Sequence, residues 1–265
     1  MLELKNIYKT FNPGTINEKV ALNGLNLTLN EGDFVTVIGG NGAGKSTMLN
    51  AVAGTWQVDE GQIIIDGIDV TKLSEHKRAA YLGRVFQDPM TGTAATMGIE
   101  ENLALAKRRG KTRLLKPGIT KKEREEYKEL LKVLGLGLED RLTSKVGLLS
   151  GGQRQALTLL MATMNPPKLL LLDEHTAALD PGTAEKVLNL TRRIVEEHQL
   201  TCLMITHNMQ SAIELGNRIL MMDSGNIVLD IEGEEKKNMT VEGLLEKFRS
   251  GAGKALDNDR ILLSD

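Results

Sequence analysis

The stretch that decides the fold is "GGNGAGKST", residues 39–47, called the phosphate loop below. It fits the pattern G-x-x-x-x-G-K-[ST], in which glycines let the backbone wrap around phosphates. Lys45 would reach the β- and γ-phosphates of a nucleotide, and Ser46 would bind Mg²⁺. A β-rich run, "DFVTVIGG", precedes the motif and a helical run, "KSTMLNAVAG", follows it. Because this is the context that the motif requires, we expect a nucleotide site here rather than a chance glycine-rich turn.

Strands and helices alternate along the rest of the chain. The runs "GQIIIDG", "GRVFQ", "KLLLLDE" and "TCLMITH" read as strands, and a helix is expected from about Thr183 to His198. "RILMMDSGNIVLDI" predicts a hairpin that turns at residues 224–226. Alternating strands and helices predict an α/β fold with a mainly parallel sheet.

Between Ile99 and Met164 the pattern becomes helical and highly charged. We therefore predict a core formed by residues 1–98 and 165–248, with residues 99–164 as an inserted helical subdomain. Residues 249–265 have weak periodicity, and we expect a flexible tail there.

Composition excludes several classes of protein. A net charge of -2 gives no argument for nucleic-acid binding by the whole chain. The single cysteine, Cys202, excludes an internal disulfide framework and reads as core packing. The N-terminus lacks a signal-peptide layout, and no apolar run approaches the roughly 20 residues of a membrane span. Any membrane role would therefore be exercised from the aqueous side.

Two further stretches carry chemistry. "LLSGGQRQAL", residues 148–157, places Ser150 and two glycines before a helical pattern, an arrangement that binds anions. "LLLLDE" ends in Asp173, which could hold Mg²⁺, and Glu174, which could polarise an attacking water. Alone, this second stretch fits equally well a strand that ends in two solvated acids. The upstream phosphate loop favours the functional interpretation.

These motifs resemble the ATP-binding cassette of ABC transporters. "LSGGQ", Leu149 to Gln153, matches the signature motif of that family. Gln87 in "VFQDP" matches its glutamine loop, and Asp180 at the end of "AALD" matches its D-loop. His207 in "MITHN" matches its switch histidine. Phe11 in "YKTFNPG" stands where the family has an aromatic residue that stacks on adenine, although Tyr8 shares that segment.

Three of these residues have ordinary alternatives. Gln87 could be a plain loop residue, His207 a structural hydrogen-bonding group, and Phe11 a core residue. Taken singly, each alternative would be preferred. The order of the motifs along the chain favours the functional interpretation.

The resemblance implies a P-loop NTPase core, an N-terminal antiparallel β subdomain, and ATP and Mg²⁺ as cofactors. It implies head-to-tail homodimers in which the phosphate loop of one subunit and the signature motif of the other enclose each ATP. The catalytic residues implied are Glu174, His207, Lys45 and Gln87, and those implied for Mg²⁺ are Ser46, Gln87 and Asp173. The nucleotide-binding residues implied are Phe11, Gly39, Gly40, Asn41, Gly42, Ala43, Gly44, Lys45, Ser46, Thr47, Ser150, Gly151, Gly152, Gln153 and Asp180.

Two positions depart from the family pattern. Gly40 stands where many members have proline, which loosens the turn without removing a hydrogen-bond donor. His175, in "DEHTAALD", also replaces a proline, directly after Glu174. His175 is either a tolerated loop residue, which we favour, or a titratable group that makes turnover depend on pH.

A finer likeness covers most of the chain. Residues 146–184 resemble the ATPase of a bacterial importer group assigned to tryptophan and tyrosine. This implies a peripheral subunit on the cytoplasmic face of a bacterial membrane, with an integral membrane permease and an extracytoplasmic substrate-binding protein as partners. The alternative is a soluble ABC-type ATPase in a role such as cluster assembly or repair. Repair members need a long coiled coil, for which the charged block is too short.

The stretch "AKRRGKTRLLK", residues 106–116, is strongly basic. A solvated surface is the favoured interpretation, and contact with the permease or with lipid headgroups is the alternative. Because no aromatic residues interleave with these charges, we expect no nucleic-acid partner. On family grounds, residues 88–103 are the better candidate for permease docking.

Overall fold

The structure, a computed structural model, describes residues 1–111 and 118–251. The strands are β1 (Leu2–Phe11), β2 (Lys19–Leu29), β3 (Phe34–Ile38), β4 (Glu60–Ile65), β5 (Ile68–Asp69), β6 (Leu82–Val85), β7 (Leu169–Asp173), β8 (Thr201–Ile205), β9 (Arg218–Asp223) and β10 (Asn226–Glu232). The helices are α1 (Lys45–Ala53), α2 (Glu75–Arg78), α3 (Ile99–Lys107), α4 (Lys121–Lys132), α5 (Gly151–Thr163), α6 (Pro181–Glu197), α7 (Met209–Glu214), α8 (Gly233–Lys237) and α9 (Val241–Gly251).

The larger sheet of the described residues has six strands in the order β10-β9-β3-β8-β7-β6. Its strands run parallel from β9 to β6, and β10 pairs antiparallel with β9 through the predicted hairpin. Every residue of β3 and β8 is buried, as expected for strands covered on both faces. The predicted α/β fold with a mainly parallel sheet is confirmed.

The smaller sheet has four strands in the order β2-β1-β4-β5, and all its pairs are antiparallel. This confirms the antiparallel β subdomain that the family resemblance implies. Helix α1 lies between the two sheets. Its Met48, Leu49 and Val52 share one buried apolar cluster with Ile63 of the small sheet and Leu203 of the large one. The helix that begins at the phosphate loop is therefore fixed by both sheets.

Residues 99–164 contain α3, α4 and α5 with two short 3-10 helices at 138–140 and 146–148. Tyr127 and Leu131 of α4 pack into one buried cluster with Leu157 of α5, but the cluster continues into Leu170 and Leu172 of β7. The boundaries of the helical subdomain therefore stay a prediction. Of the predicted tail, residues 249–251 belong to α9, and residues 252–265 lie outside the described residues. Residues 112–116 of the basic stretch 106–116 also lie outside them.

No helix among the described residues combines the length and apolar character that crossing a bilayer requires.

A single buried arginine closes the C-terminal end of α1. The guanidinium of Arg78 donates hydrogen bonds to the carbonyls of Ala51 and Val52 at 2.6 and 2.9 Å. It also donates to the carbonyls of Leu73 and Thr71 at 3.0 and 2.9 Å. The last carbonyls of a helix have no partners within the helix and carry its partial negative charge, so a buried cation is stabilising there.

Replacing Arg78 by methionine should lower the free energy of unfolding by about 3 kcal/mol, because buried carbonyls lose their donors. Arg193→Met is the control, since Arg193 is exposed and its guanidinium donates to the carbonyl of Val133. Urea titration monitored by circular dichroism measures both. Equal losses for the two variants would contradict the role given to Arg78.

Candidate nucleotide-binding and catalytic site

Three groups of the sequence-predicted site residues follow neighbouring parallel strands. The phosphate loop follows β3, His207 follows β8, and Glu174 follows β7. Carboxyl ends of parallel strands lie at one edge of the sheet, which is where such folds bind ligands. These residues line one cavity of about 190 Å³. Its wall is formed by Phe11, Lys19, Ala21, Asn41, Gly42, Ala43, Gly44, Lys45, Ser46, Thr47, Glu174 and His207.

Backbone packing fixes the shape of the phosphate loop. Gly39 and Gly44 both have positive φ, of 147° and 102°. A Cβ on Gly39 would lie 2.2 Å from the carbonyl oxygen of Met222, and one on Gly44 would lie 2.5 Å from that of Ala21. Only glycine fits at either position. By contrast, a Cβ on Gly40 would meet nothing within 4 Å. Lack of space therefore does not explain why this chain has glycine rather than proline at that position.

Lys45 is buried at the mouth of the loop. Its Nζ donates hydrogen bonds to the carbonyls of Gly39 and Gly40 at 2.7 and 3.1 Å. Burial lowers the pKa of Lys45, while the nearby carboxylates of Glu174 and Asp173 act to raise it. The ammonium is thus held by neutral carbonyls, and it can exchange these weak partners for phosphate oxygens without breaking an ion pair.

Asp173 and Ser46 form an oxygen-lined corner at the end of β7. Burial raises the pKa of Asp173, whereas the guanidinium of Arg84, at 3.8 Å, and a hydrogen bond with Ser46 lower it. A carboxylate and a hydroxyl are the ligands that Mg²⁺ takes beside substrate phosphates and water. The described residues contain no cluster of three or more His, Cys, Asp or Glu side chains that could hold a metal alone. An ion held by Asp173 and Ser46 would complete its coordination with phosphate oxygens and water.

Glu174 and His207 are in direct contact. The Nε2 of His207 lies 2.6 Å from Oε1 of Glu174, and the glutamate is buried while the histidine is half exposed. Glu174 has a φ of 46°, a left-handed conformation that costs a non-glycine residue energy and is concentrated at functional sites. Its backbone N–H is held by the carbonyl of Ile205 at 3.1 Å. Strain and burial thus aim this carboxylate into the cavity beside Lys45.

The aromatic end of the cavity is formed by Phe11. Its ring packs edge-on against Trp56, with ring centroids 4.8 Å apart, and Lys9 lies 5.6 Å from the ring. Tyr8 instead packs over Gly24, where a Cβ would lie 2.9 Å from the tyrosine oxygen. Of the two aromatic candidates, Phe11 is therefore the one at the cavity. Trp56 carries no motif, so sequence reasoning did not find it.

The signature motif lies at a second cavity, of about 600 Å³, between α5 and α6. Ser150 caps α5: its hydroxyl accepts from the N–H of Gln153, whose side chain accepts from the N–H of Ser150, both at 3.2 Å. A Cβ on Gly152 would lie 2.1 Å from Cγ2 of Thr183 at the start of α6, and one on Gly151 would lie 3.3 Å from a methyl of Leu179. The N-terminus of α5 therefore packs tightly against the D-loop segment.

Asp180 and Gln87 have other surroundings. The Asp180 side chain caps α6 by accepting from the N–H of Thr183 at 3.0 Å, and this bonding lowers its pKa. Gln87 is exposed and follows β6 at the same edge of the sheet. The carbonyl of Phe86 before it accepts from Gln155 of α5 at 2.8 Å. The nucleotide and metal contacts assigned to Gln87 and Asp180 stay predictions.

His175 is fully buried against α6. The hydroxyl of Thr191 donates to the carbonyl of Val187 at 2.8 Å, so its one proton is used. Nε2 of His175, 3.0 Å from that hydroxyl oxygen, must therefore donate, and the buried Nδ1 has no partner among the described residues. Burial lowers the pKa of His175 to about 4. The ring is neutral at pH 7, which favours a packing role over a pH switch.

This burial makes stability depend on pH. Because the folded pKa of His175 is about 4 and the ordinary value is 6.5, its stabilising contribution is complete above pH 6.5 and is lost as the pH falls toward 4. Over that range the native chain should lose about 3 kcal/mol more unfolding free energy than His175→Gln does. Urea titrations across the range test this, with His198→Gln, an exposed histidine, as control. Parallel curves for native chain and His175→Gln would contradict it.

Known proteins share this arrangement. The family model for ABC transporters matches residues 22–177. The chain is 46% identical to a tyrosine transport ATP-binding protein of Clostridioides difficile over 94% of this chain and 98% of that protein. It is 35% identical to a methionine import ATP-binding protein of Corynebacterium diphtheriae over 86% of this chain and 64% of that longer protein.

Solved structures agree with the sequence comparisons. A dimeric ATP-binding cassette in a post-hydrolysis state, bound to ADP and phosphate, superposes with a TM-score of 0.75 at 31% identity. The match covers 88% of this chain and 98% of that one. Fold and site thus define a P-loop ATPase of the cassette class. The chain belongs to the ABC transporter family, as an ATP-binding subunit that hydrolyses ATP.

Proposed function

We propose that two copies of this chain form a head-to-tail dimer that hydrolyses two ATP molecules at composite sites and drives a permease for solute import. One observation carries the dimer: the phosphate loop and the signature motif line two different cavities of one chain. Each cavity holds half of an anion site, with cations and loop amides in one and a helix N-terminus in the other. Pairing two chains antiparallel would complete both. The dimeric cassette among the similar structures supports this arrangement.

The catalytic groups would work mainly by positioning and charge stabilisation. Lys45 would bind the β- and γ-phosphates, and Phe11 would stack on the adenine. Ser46 and Asp173 would hold Mg²⁺, which neutralises charge on the phosphate oxygens when bound. Glu174 would polarise the water that attacks the γ-phosphate. Because water attacks directly, the reaction needs no covalent enzyme intermediate.

His207 would hold the carboxylate of Glu174 in position, since its Nε2 lies 2.6 Å from Oε1 of that residue. It would also contact the γ-phosphate. Ser150, Gly151 and Gly152 of the other chain would close the site with a hydroxyl and backbone donors. Hydrolysis removes the anion that these donors bind, so the dimer would loosen after each turnover.

A groove of about 240 Å³ is our candidate for permease docking. It lies between β6, α3 and α5, and Phe86 and Met161 give it an apolar wall rimmed by Arg84 and Arg109. The segment 88–103, favoured on sequence grounds, contributes Gly92 to its lining. Phe86 directly precedes Gln87, so a permease segment in this groove would sit against the glutamine loop.

Import of an amino acid or a similar small solute is supported by the names of the relatives, which include tyrosine and methionine transport proteins. Such a system would place this chain on the cytoplasmic face of a bacterial membrane, with an extracytoplasmic substrate-binding protein as a further partner. The transport relatives favour this function over the soluble ATPase alternative. Cargo would be selected by the other subunits.

The dimer and the catalytic base can be tested together. Glu174→Gln should bind ATP, dimerise in its presence, and turn over about 100-fold or more slowly, because the water loses its base. Lys45→Ala should lose ATP affinity and stay monomeric. Light scattering and phosphate release measure these outcomes, with Glu197→Gln, an exposed glutamate, as control. Normal hydrolysis by Glu174→Gln would contradict the base assignment, and a monomer with ATP would contradict the dimer.

The docking groove can be tested with charge insertion. Met161→Glu places a carboxylate in the groove and should abolish co-purification of this chain with a polytopic membrane protein from solubilised membranes. Leu188→Glu is the matched control, because Leu188 is, like Met161, a partly buried apolar residue packed against the same core cluster but does not line the groove. Equal retention of the membrane protein by both variants would contradict this docking site.

A further inference from the structure

Lys19 is a cation at the nucleotide cavity that no motif identifies. It opens β2 and pairs with Phe11 of β1 in the antiparallel register. Both residues line the cavity with the phosphate loop. The Nζ atom of Lys19 reaches over the loop, 3.2 Å from the position that a Cβ on Gly42 would take. The hairpin register thus aims this side chain from the aromatic end of the cavity toward the loop backbone.

The charge of Lys19 is not used within the chain. No hydrogen bond or ion pair joins its ammonium to any other described residue. The other lysines near the cavity are engaged: Lys9 bonds Asp59 at 2.7 Å, and Lys45 bonds the carbonyls of the loop. An uncompensated lysine on a flexible stem can bind an anion at little cost, because it has no ion pair to break.

The order of groups along the cavity indicates which part of a nucleotide Lys19 meets. Phe11 stands at the aromatic end, and Lys45 lies buried at the mouth of the loop, beside Glu174 and Asp173. Lys19 is the cross-strand partner of Phe11, and its Nζ lies over Gly42 of the loop. A nucleotide with its base at Phe11 and its terminal phosphates at Lys45 would therefore pass its first phosphate beneath Lys19.

We propose that Lys19 binds the phosphate nearest the ribose and so contributes to the affinity for every adenine nucleotide that carries it. The proposal rests on the nucleotide site proposed above. A single charge-assisted contact at an exposed position should change affinity about five- to tenfold. Because ATP, ADP and AMP share this phosphate, all three should lose the same factor when the charge is removed.

The test is equilibrium binding of ATP, ADP and AMP in the Glu174→Gln background, which avoids hydrolysis. Lys19→Met removes the charge and keeps the apolar stem, and Lys19→Arg restores a cation. Lys5→Met is the control, because it makes the same change in net charge on the exposed part of β1. We expect Lys19→Met to bind all three nucleotides about five- to tenfold more weakly, and Lys19→Arg to recover most of the loss.

Other outcomes separate the possibilities. Weaker binding of ATP alone, or of ATP and ADP but not AMP, would assign Lys19 to a later phosphate and overturn the proposal. A loss no larger than that of Lys5→Met would also overturn it. The Lys45→Ala variant is measured alongside: if it binds ATP normally, the proposed nucleotide site fails, whereas a loss there with normal Lys19→Met affinity rejects only the role of Lys19. Urea titration of Lys19→Met should show an unchanged free energy of unfolding. If Lys19 had a purely structural role, the free energy of unfolding would fall.

Discussion

The phosphate loop depends on close backbone contact with both sheets. Gly39 has no room for a side chain because the carbonyl of Met222 in β9 lies against it, and Gly44 is limited in the same way by the carbonyl of Ala21 in β2. One strand belongs to the six-stranded sheet and the other to the four-stranded sheet. Glycine at these two positions is therefore what allows both sheets to pack directly against the loop.

Everything else at the site is placed relative to this loop. Helix α1 starts at Lys45, and its far end is held by the buried Arg78. The parallel register of β3, β8 and β7 then brings His207 and Glu174 to the same edge. The strained backbone of Glu174 is tolerated because its N–H bonds Ile205 in β8 and its carboxylate bonds His207. Fold and chemistry are thus specified by the same contacts.

Local patterns predicted the strands, the hairpin at 224–226 and the phosphate loop, because these features depend on short-range periodicity and glycine spacing. Long-range features were missed for a physical reason. No local spacing marks residues whose roles depend on contacts between distant elements. These residues are Lys19 at the cavity, Trp56 beside Phe11, and Arg78 at the end of α1. The packing of the helical block against Leu170 and Leu172 of β7 is another such long-range contact, which the charge pattern of the block does not reveal.

The central claim is that the phosphate loop and the signature motif of this chain act in trans, and mixing two inactive variants tests it most directly. Lys45→Ala disables the loop, and Ser150→Arg disables the signature motif. In a head-to-tail dimer of one copy of each, one site combines both defects and the other is intact. We expect each variant alone to be nearly inactive and their mixture to recover ATP hydrolysis. A mixture as inactive as its components would show that each chain completes its own site, and would contradict the account.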